Sequence, residues 1–141
     1  MKQFIILFLT AVIFYSCEKE EPKKIETFST EAFAFDLGDS WEVNATTRVK
    51  GFSQTEAENN FSATIAYDID LVTPAGDTIK GLISKVEDKT DNEKITDIPL
   101  EVQFELDSTY AAGEYTIIFN VKDAATEETT NSKATIQLVN E

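Results

Sequence analysis

The feature that most constrains the fold of this 141-residue chain is a run of alternating apolar and polar residues near its C-terminal end. Within residues 115–122, apolar side chains recur at every second position, and only Ile118 interrupts the alternation. The apolar positions are Tyr115, Ile117, Phe119 and Val121. A period of two residues is typical of a β-strand with one buried face. We therefore expect a central strand here, with Phe119 in the core.

The same alternation recurs in other segments, and none of them has the period of an α-helix. The expected strands are residues 33–37, 41–49, 61–71, 78–86, 100–106, 115–121 and 134–138. Pro74 and Gly76 lie where a type I turn with a following left-handed residue requires them, so the next strand should return as a hairpin. Gly81, beside an interrupted alternation, predicts a β-bulge.

Four further expectations concern the strands and their connections. We expect residues 100–106 and 115–121 to pair antiparallel across the short turn between them. Apolar side chains at strand spacing, Trp41 and the Phe residues included, are expected in the core rather than on a carbohydrate-binding surface. Phe52 and Tyr110 lie in expected connections and are the candidates for exposed aromatic contacts. Residues 87–94 are expected to form a charged loop.

The charge balance excludes one class of partner. The chain has 12 basic and 26 acidic residues, a formal net charge of −14 at pH 7, and such a surface repels nucleic acid. Histidine is absent and Cys17 is the only cysteine, so we expect no internal disulfide, no imidazole or thiolate metal site and no histidine-based triad. Because 42% of the residues are hydrophobic, we expect a folded domain rather than a disordered acidic chain.

Residues 1–16 are typical of a secretory signal peptide. Lys2 supplies a positive start, and the apolar run of residues 4–15 is shorter than the about 20 residues that span a bilayer. The sequence Phe14-Tyr15-Ser16-Cys17 resembles a lipobox, in a loose form similar to that of Bacteroidota lipoproteins. The resemblance implies that Cys17 carries the lipid and becomes the mature N-terminus. The alternative is an ordinary signal peptide that happens to contain a cysteine.

A charged segment follows the cysteine. Lys19, Glu20 and Glu21 resemble the export signal that directs some Bacteroidota lipoproteins to the cell surface. This resemblance implies attachment to the outer membrane of a Gram-negative bacterium, on its outer side. A charged segment that contains Pro also forms a solvated tether, and both interpretations can hold. We expect residues 17–27 to be the lipidated cysteine with its tether, and residues 28–141 to be one domain.

Around Gly113 the sequence resembles the sixth strand of immunoglobulin domains, which reads Asp-x-Gly-x-Tyr-x-Cys. Gly113 and Tyr115 match, whereas Ala111 replaces the Asp and Ile117 replaces the Cys. The resemblance implies an all-β fold, a single seven-stranded immunoglobulin-like antiparallel β-sandwich, with Tyr115 as a tyrosine corner bonded to nearby backbone. The likeness is to bacterial Ig-like, fibronectin-type and cadherin-like modules as a class. A transthyretin-like or macroglobulin-type sandwich is the alternative.

The acidic residues favour a surface rather than a catalytic site. Asp68 and Asp70 share one face of a strand, but nothing there predicts the burial that a catalytic carboxylate pair needs. If the strands alternate in direction, residues 51–60, 87–97 and 123–131 emerge at one end, beside the tether. We expect that end to bind a partner or calcium, although Lys89 intrudes and no EF-hand glycine is present. The candidate residues are Glu87, Asp88, Asp91, Glu93, Asp97, Glu127 and Glu128.

Together these observations predict a lipid-anchored, surface-exposed binding or scaffolding module without catalytic activity or cofactor. The partner, a protein or a glycan, is not specified by the sequence. Two alternatives stay open: a periplasmic inhibitor or immunity-type protein whose acidity complements a basic partner, and a calcium-dependent adhesion module. An interaction module should have an exposed patch that includes Phe52 or Tyr110, and an enzyme should have a cleft with carboxylates from different strands.

Overall fold

The computed structural model describes residues 23–140, which form eight β-strands. The strands are β1 (Glu26–Asp36), β2 (Ser40–Lys50), β3 (Thr55–Ala57), β4 (Asn60–Val72), β5 (Thr78–Asp91), β6 (Ile98–Asp107), β7 (Gly113–Asp123) and β8 (Thr129–Leu138). The expected signal peptide, the lipidated Cys17 and the export-type residues Lys19, Glu20 and Glu21 lie outside the described residues. Within the described part of the chain, no helix has the length and apolar character needed to cross a membrane.

Two antiparallel sheets form a β-sandwich, as the alternation predicted. Sheet A has the order β1-β2-β6. In sheet B, β4 pairs with β5 along one edge and with β7 along the other, and β8 pairs with β7. The additional strand β3 lies within an expected loop and pairs with the first residues of β4. The expected hairpin of β4 and β5 is confirmed, and so is the bulge, because the register shifts opposite Gly81.

The expected pairing of β6 with β7 is wrong. β6 pairs with β2 in sheet A, and β7 pairs with β4 and β8 in sheet B, so the connection between them crosses the sandwich. Both strands carry a continuous apolar face, and fully buried side chains such as Leu100 and Ile117 lie on these faces. In opposite sheets the two faces pack against each other across the core, whereas in one sheet they would only lie side by side.

The inward faces of β2, β4, β6 and β7 build the core. Trp41, at the start of β2, is buried as expected, and Phe119 on β7 is fully buried. The Phe119 ring stacks on Tyr67 of β4 at a centroid separation of 6.3 Å. The Tyr67 hydroxyl donates a hydrogen bond to the Glu101 carbonyl at 3.1 Å, which joins sheet B to sheet A. Burial is the main cause that raises the Tyr67 pKa, and the Glu87 carboxylate adds to it.

The tyrosine corner is confirmed. The Tyr115 hydroxyl donates a hydrogen bond to the Ala111 carbonyl at 2.9 Å and fixes the entry into β7. Burial raises the pKa of this hydroxyl. Gly113 precedes it at φ 143°, where a Cβ atom would lie 2.8 Å from the Pro74 ring. The turn therefore needs glycine both for its backbone conformation and for the space it leaves.

Strands β1 and β8 close one side of the sandwich. The Trp41 indole Nε1 donates a hydrogen bond to the Val139 carbonyl at 3.2 Å, just beyond β8. Further along, Thr27 Oγ1 donates to the Asn131 carbonyl at 3.3 Å. Small side chains occupy the interior here, because Ala32 and Ala34 are the residues of β1 that pack against the core.

Candidate functional site

The expected gathering of loops at one end of the sandwich is confirmed. Residues 23–25, 51–60, 92–97 and 124–128 lie at this end, which we call the loop end, and the chain enters β1 from it. The Gln54 side chain ties two of the loops together. Its Nε2 donates to the Ile95 carbonyl at 2.7 Å, and its Oε1 accepts from the Ile95 amide at 2.8 Å. The loop end is thus held by specific hydrogen bonds.

Asp123, the first of the residues 123–131 that were expected at the partner-binding end, is a structural residue of the loop end. Its side chain is buried. Oδ2 accepts a hydrogen bond from the Ser53 amide at 2.6 Å, and Oδ1 accepts from the Ala125 amide at 2.8 Å. The carboxylate therefore joins the loop after β2 to the turn after β7.

The residues predicted as a partner or calcium surface are spread over several elements. Residues 87–91 continue β5 and are not a loop, which corrects the expected loop of residues 87–94. Glu87 lies opposite Ile65 and Asp91 lies opposite Phe61, four residues apart on the same strand. Asp88 accepts a hydrogen bond from Thr64 Oγ1 at 2.6 Å. β5 has no second strand on its outer edge, and charged side chains are common on such edges because they oppose further pairing.

The other predicted acids are either paired or separate. Asp97 forms a salt bridge with Arg48 of β2. Glu93 lies in the loop after β5, and Glu127 and Glu128 lie in the turn between β7 and β8. Among residues 23–140, no group of three or more acidic, cysteine or histidine side chains is placed to hold a metal ion. The geometry of the described residues therefore offers no support for a calcium site.

Asp68 and Asp70 project from the outer face of sheet B, as the alternation predicted. Both accept a hydrogen bond from the Asn120 side-chain amide, each at 2.9 Å. Asp70 also accepts from the amide of Gly81 in the β-bulge at 2.8 Å. These carboxylates belong to one strand and are occupied in bracing β7 and the bulge. A shallow depression of about 710 Å³ lies beside them, between β5 and β8.

Two of the exposed large apolar side chains lie on β1, where the sequence predicted core residues. Phe33 is 58% exposed, Phe35 is 54% exposed, and Leu37 in the following turn is 53% exposed. Val139, beyond the end of β8, is also 53% exposed. We call these four residues the distal patch, because they lie toward the end opposite the loop end. Val86 on β5 is the other large hydrophobic residue with comparable exposure in the described chain.

Hairpin register explains why these rings point outward. The tight turn between β1 and β2 is closed by the Leu37 amide, which donates to the Ser40 carbonyl at 2.9 Å. This turn places Phe35 opposite Glu42 and Phe33 opposite Asn44. Directly opposed residues in a sheet share a face. Because β2 turns its long apolar set inward, the two rings must lie on the outer face of sheet A.

A depression of about 910 Å³ opens beside the distal patch, at the end of the sandwich where the tight turns lie. Its apolar lining includes Phe35, Trp41, Tyr110 and Val139. Tyr110 is partly buried and its ring lies 6.2 Å from that of Tyr115. Asp107 precedes this turn, and hydrogen bonds from the Thr109 hydroxyl and amide hold the pKa of its carboxyl below the usual range. An ordered turn thus forms one wall of the depression.

Phe52 and Tyr110, the two residues predicted as exposed aromatic contacts, lie in different surroundings in the structure. Phe52 is buried and belongs to the core, which corrects its assignment as an exposed contact. Although Phe52 lies in a loop, its side chain belongs to the core at the loop end, as does that of Ile95. Tyr110 does reach the depression beside the distal patch. The sequence analysis missed Phe33 and Phe35, although pairing β1 with β2 across the Gly38-Asp39 turn would have placed both with polar partners.

Comparisons with known proteins give no family. No family model matches the chain, and no curated protein matches it. One similar solved structure is a β-glucuronidase of Bacteroides uniformis, at 10% identity and TM-score 0.47, with 82% of this chain and 13% of that chain covered. Another is a target of the Northeast Structural Genomics Consortium, at 11% identity and TM-score 0.44, with 84% and 88% covered. Both likenesses are too distant to carry an argument about function.

Proposed function

We propose that the chain is a non-catalytic binding or scaffolding module, anchored to the outer membrane through a lipid on Cys17 and exposed on the cell surface. The observation that carries this proposal is the position of the distal patch. The chain enters the domain at the loop end, and Leu37 follows the start of β1 by 11 residues, which is roughly 35 Å of extended strand. An anchor before residue 23 would attach near the loop end, which leaves the patch at the opposite end free for a partner.

Exposed apolar side chains on an ordered strand support binding. Large exposed apolar patches on a folded domain mark sites of contact with other molecules. The paired carboxylates, in contrast, do not favour catalysis. Asp68 and Asp70 come from one strand and share the Asn120 amide as a donor, so no acid from another strand opposes them there. The structure gives a partner surface more support than it gives a reaction centre.

The anchor is tested by fractionating cells that produce the Cys17→Ser variant. We expect this variant to leave the membrane fraction, because the hydroxyl of serine cannot take the place of the thiol in lipidation. Ser16→Ala is the matched control, since a small residue before the cysteine is kept. Membrane retention of Cys17→Ser equal to that of the parent protein would refute the anchor.

Surface exposure is tested separately, by protease treatment of intact cells. We expect the parent protein to be digested, and a variant with Lys19, Glu20 and Glu21 all replaced by Ala to be protected while it stays in the membrane fraction. This experiment also separates the proposal from the periplasmic inhibitor alternative. Protection of the parent protein in intact cells, with digestion after lysis, would favour that alternative and refute surface exposure.

A further inference from the structure

The outer face of sheet A combines aromatic rings with carboxylates. Phe35 lies opposite Glu42, and Glu42 lies opposite Glu105 on β6. Two residues further along the face, Phe33 lies opposite Asn44. Neighbouring strands are about 4.8 Å apart, so these side chains form a continuous surface. At the next position Glu31 and Glu101 flank a threonine of β2, which adds two more carboxylates to the face.

None of the carboxylates of this face forms a salt bridge within the described chain. The two salt bridges of the described chain join Arg48 to Asp97 and Lys50 to Glu26, and both lie toward the loop end. Lys85 approaches the edge of the face, but its Nζ donates to the Glu101 carbonyl at 3.1 Å and not to a carboxylate. Around Phe33 and Phe35 the surface is therefore both apolar and negative. Such a surface complements a partner that is apolar and positive.

We propose that this face, formed by Phe33, Phe35, Glu31, Glu42, Glu101 and Glu105, docks a polypeptide segment that carries Lys or Arg together with apolar side chains. This inference rests on the proposed binding function and names the surface and the chemistry of its partner. A second copy of the chain fits poorly, because two surfaces from molecules of net charge −14 repel each other. A neutral glycan would stack on the rings and donate hydroxyl hydrogen bonds to the carboxylates, but it would leave four negative charges uncompensated.

Rigidity of the face favours docking of this kind. The Phe side chains lie on β1, which pairs with β2, and β2 is in turn paired with β6. Because this backbone is already ordered, little further ordering is needed when a partner binds. Aromatic side chains that become buried at the centre of an interface contribute most of its binding energy. The carboxylates at the rim mainly increase the rate of association and orient a cationic partner.

The test uses the full-length lipidated protein in phosphatidylcholine nanodiscs and three short fluorescent peptides. The first peptide contains Lys, Leu and Ser. In the second peptide the Leu residues are replaced by Ser, and the number of Lys residues is kept. The third peptide contains only Leu and Ser and is therefore uncharged. Anisotropy is measured against empty nanodiscs. We expect the Lys-Leu-Ser peptide to bind most tightly, and its binding to weaken as salt is added because surface charges are then screened.

Variants of the full-length protein locate the contact. The double variant Phe33→Ser, Phe35→Ser should weaken binding of the Lys-Leu-Ser peptide by about 10-fold or more, as expected for interface residues of this type. The double variant Glu42→Gln, Glu105→Gln should weaken binding and reduce its dependence on salt. Val86→Ser, which alters an equally exposed residue of the other sheet, is the matched control and should leave the affinity unchanged. Thermal unfolding confirms that each variant is folded.

Four results would overturn the inference: no binding of the Lys-Leu-Ser peptide at about 1 mM, equal binding of the Lys-Ser peptide, equal affinity of the folded Phe double variant, or tighter binding of a soluble oligosaccharide at the same rings. Concentration-dependent self-association that the Phe double variant abolishes would assign the face to a second copy instead. Membrane fractionation of Cys17→Ser is read independently of all these results, so failure of the docking inference and failure of the proposed anchor are distinguishable.

Discussion

Asp123 provides the sharpest test of how the loop end is held together. Replacing it with Ala removes a buried carboxylate that accepts hydrogen bonds from the amides of Ser53 and Ala125. A hydrogen bond to a charged group contributes about 1.5 to 3 kcal/mol to stability, and an amide left without a partner costs about 1 to 3 kcal/mol. Ser53 is partly exposed and Ala125 is exposed, so water replaces part of the hydrogen bonding that the two amides lose. We therefore expect Asp123→Ala to lower the free energy of unfolding by about 3 to 5 kcal/mol, which is less than the sum of the separate contributions.

Urea unfolding followed by circular dichroism measures this loss, which is a large part of the roughly 5 to 15 kcal/mol of a typical domain. Asp123→Asn keeps one acceptor oxygen but presents an NH₂ group to one of the two amides, so it should lose roughly half as much. Glu127→Ala, an exposed acid in the neighbouring turn, is the matched control and should change stability by less than about 0.5 kcal/mol. A loss below about 1 kcal/mol for Asp123→Ala would refute the structural role.

Three more changes test the core, the entry of the chain and the buried tyrosines. Phe119→Ala should cost about 3 to 5 kcal/mol in urea unfolding, because it empties a fully buried site; a loss under about 1 kcal/mol would contradict the burial. Gly51→Ala should lower the melting temperature markedly, since the added Cβ would clash with the Lys24 carbonyl oxygen and Gly51 has φ +76°; an unchanged melting temperature would contradict that contact. Tyr67 and Tyr115 have pKa values raised above 10.0 in the folded state, so the stability that they contribute is complete below about pH 10 and is lost as the pH rises through the raised values. Tyr115→Phe should therefore flatten the alkaline fall in unfolding free energy, and an identical pH profile for this variant would be inconsistent with the assignment.

The alternation of apolar residues was sufficient to find the strands but not to pair them. β2, β4 and β7 each have at least four apolar side chains at a period of two, and the structure buries these faces. Which strands become neighbours depends on contacts between distant residues. β6 and β7 are adjacent in sequence, yet they lie in opposite sheets, where their apolar faces pack against each other across the core.

A run of charged residues does not by itself distinguish a loop from an edge strand. Residues 87–91 have few apolar side chains and were therefore expected to be irregular, but they continue an edge strand whose backbone pairs with β4. Backbone pairing needs no apolar side chain, and an edge strand beyond the reach of the opposite sheet has nothing to bury. The sequence thus identified the acidic residues of β5, whereas only the structure shows that they extend along a strand and are not gathered in a loop.

The alternation of β1 illustrates the limit most clearly, because two opposite orientations of that strand were compatible with its sequence. Turning Phe33 and Phe35 inward would bury two rings and gain about 2 to 3 kcal/mol for each. Within this hairpin register it would also expose the face of β2 that contains Trp41 and Val43, so the gain would be offset by the loss of the larger apolar face. In the observed orientation the two rings therefore contribute little to the core. Polar side chains would satisfy the outer face of β1 equally well, so contacts within the domain do not account for the rings, whereas the docking proposed above would.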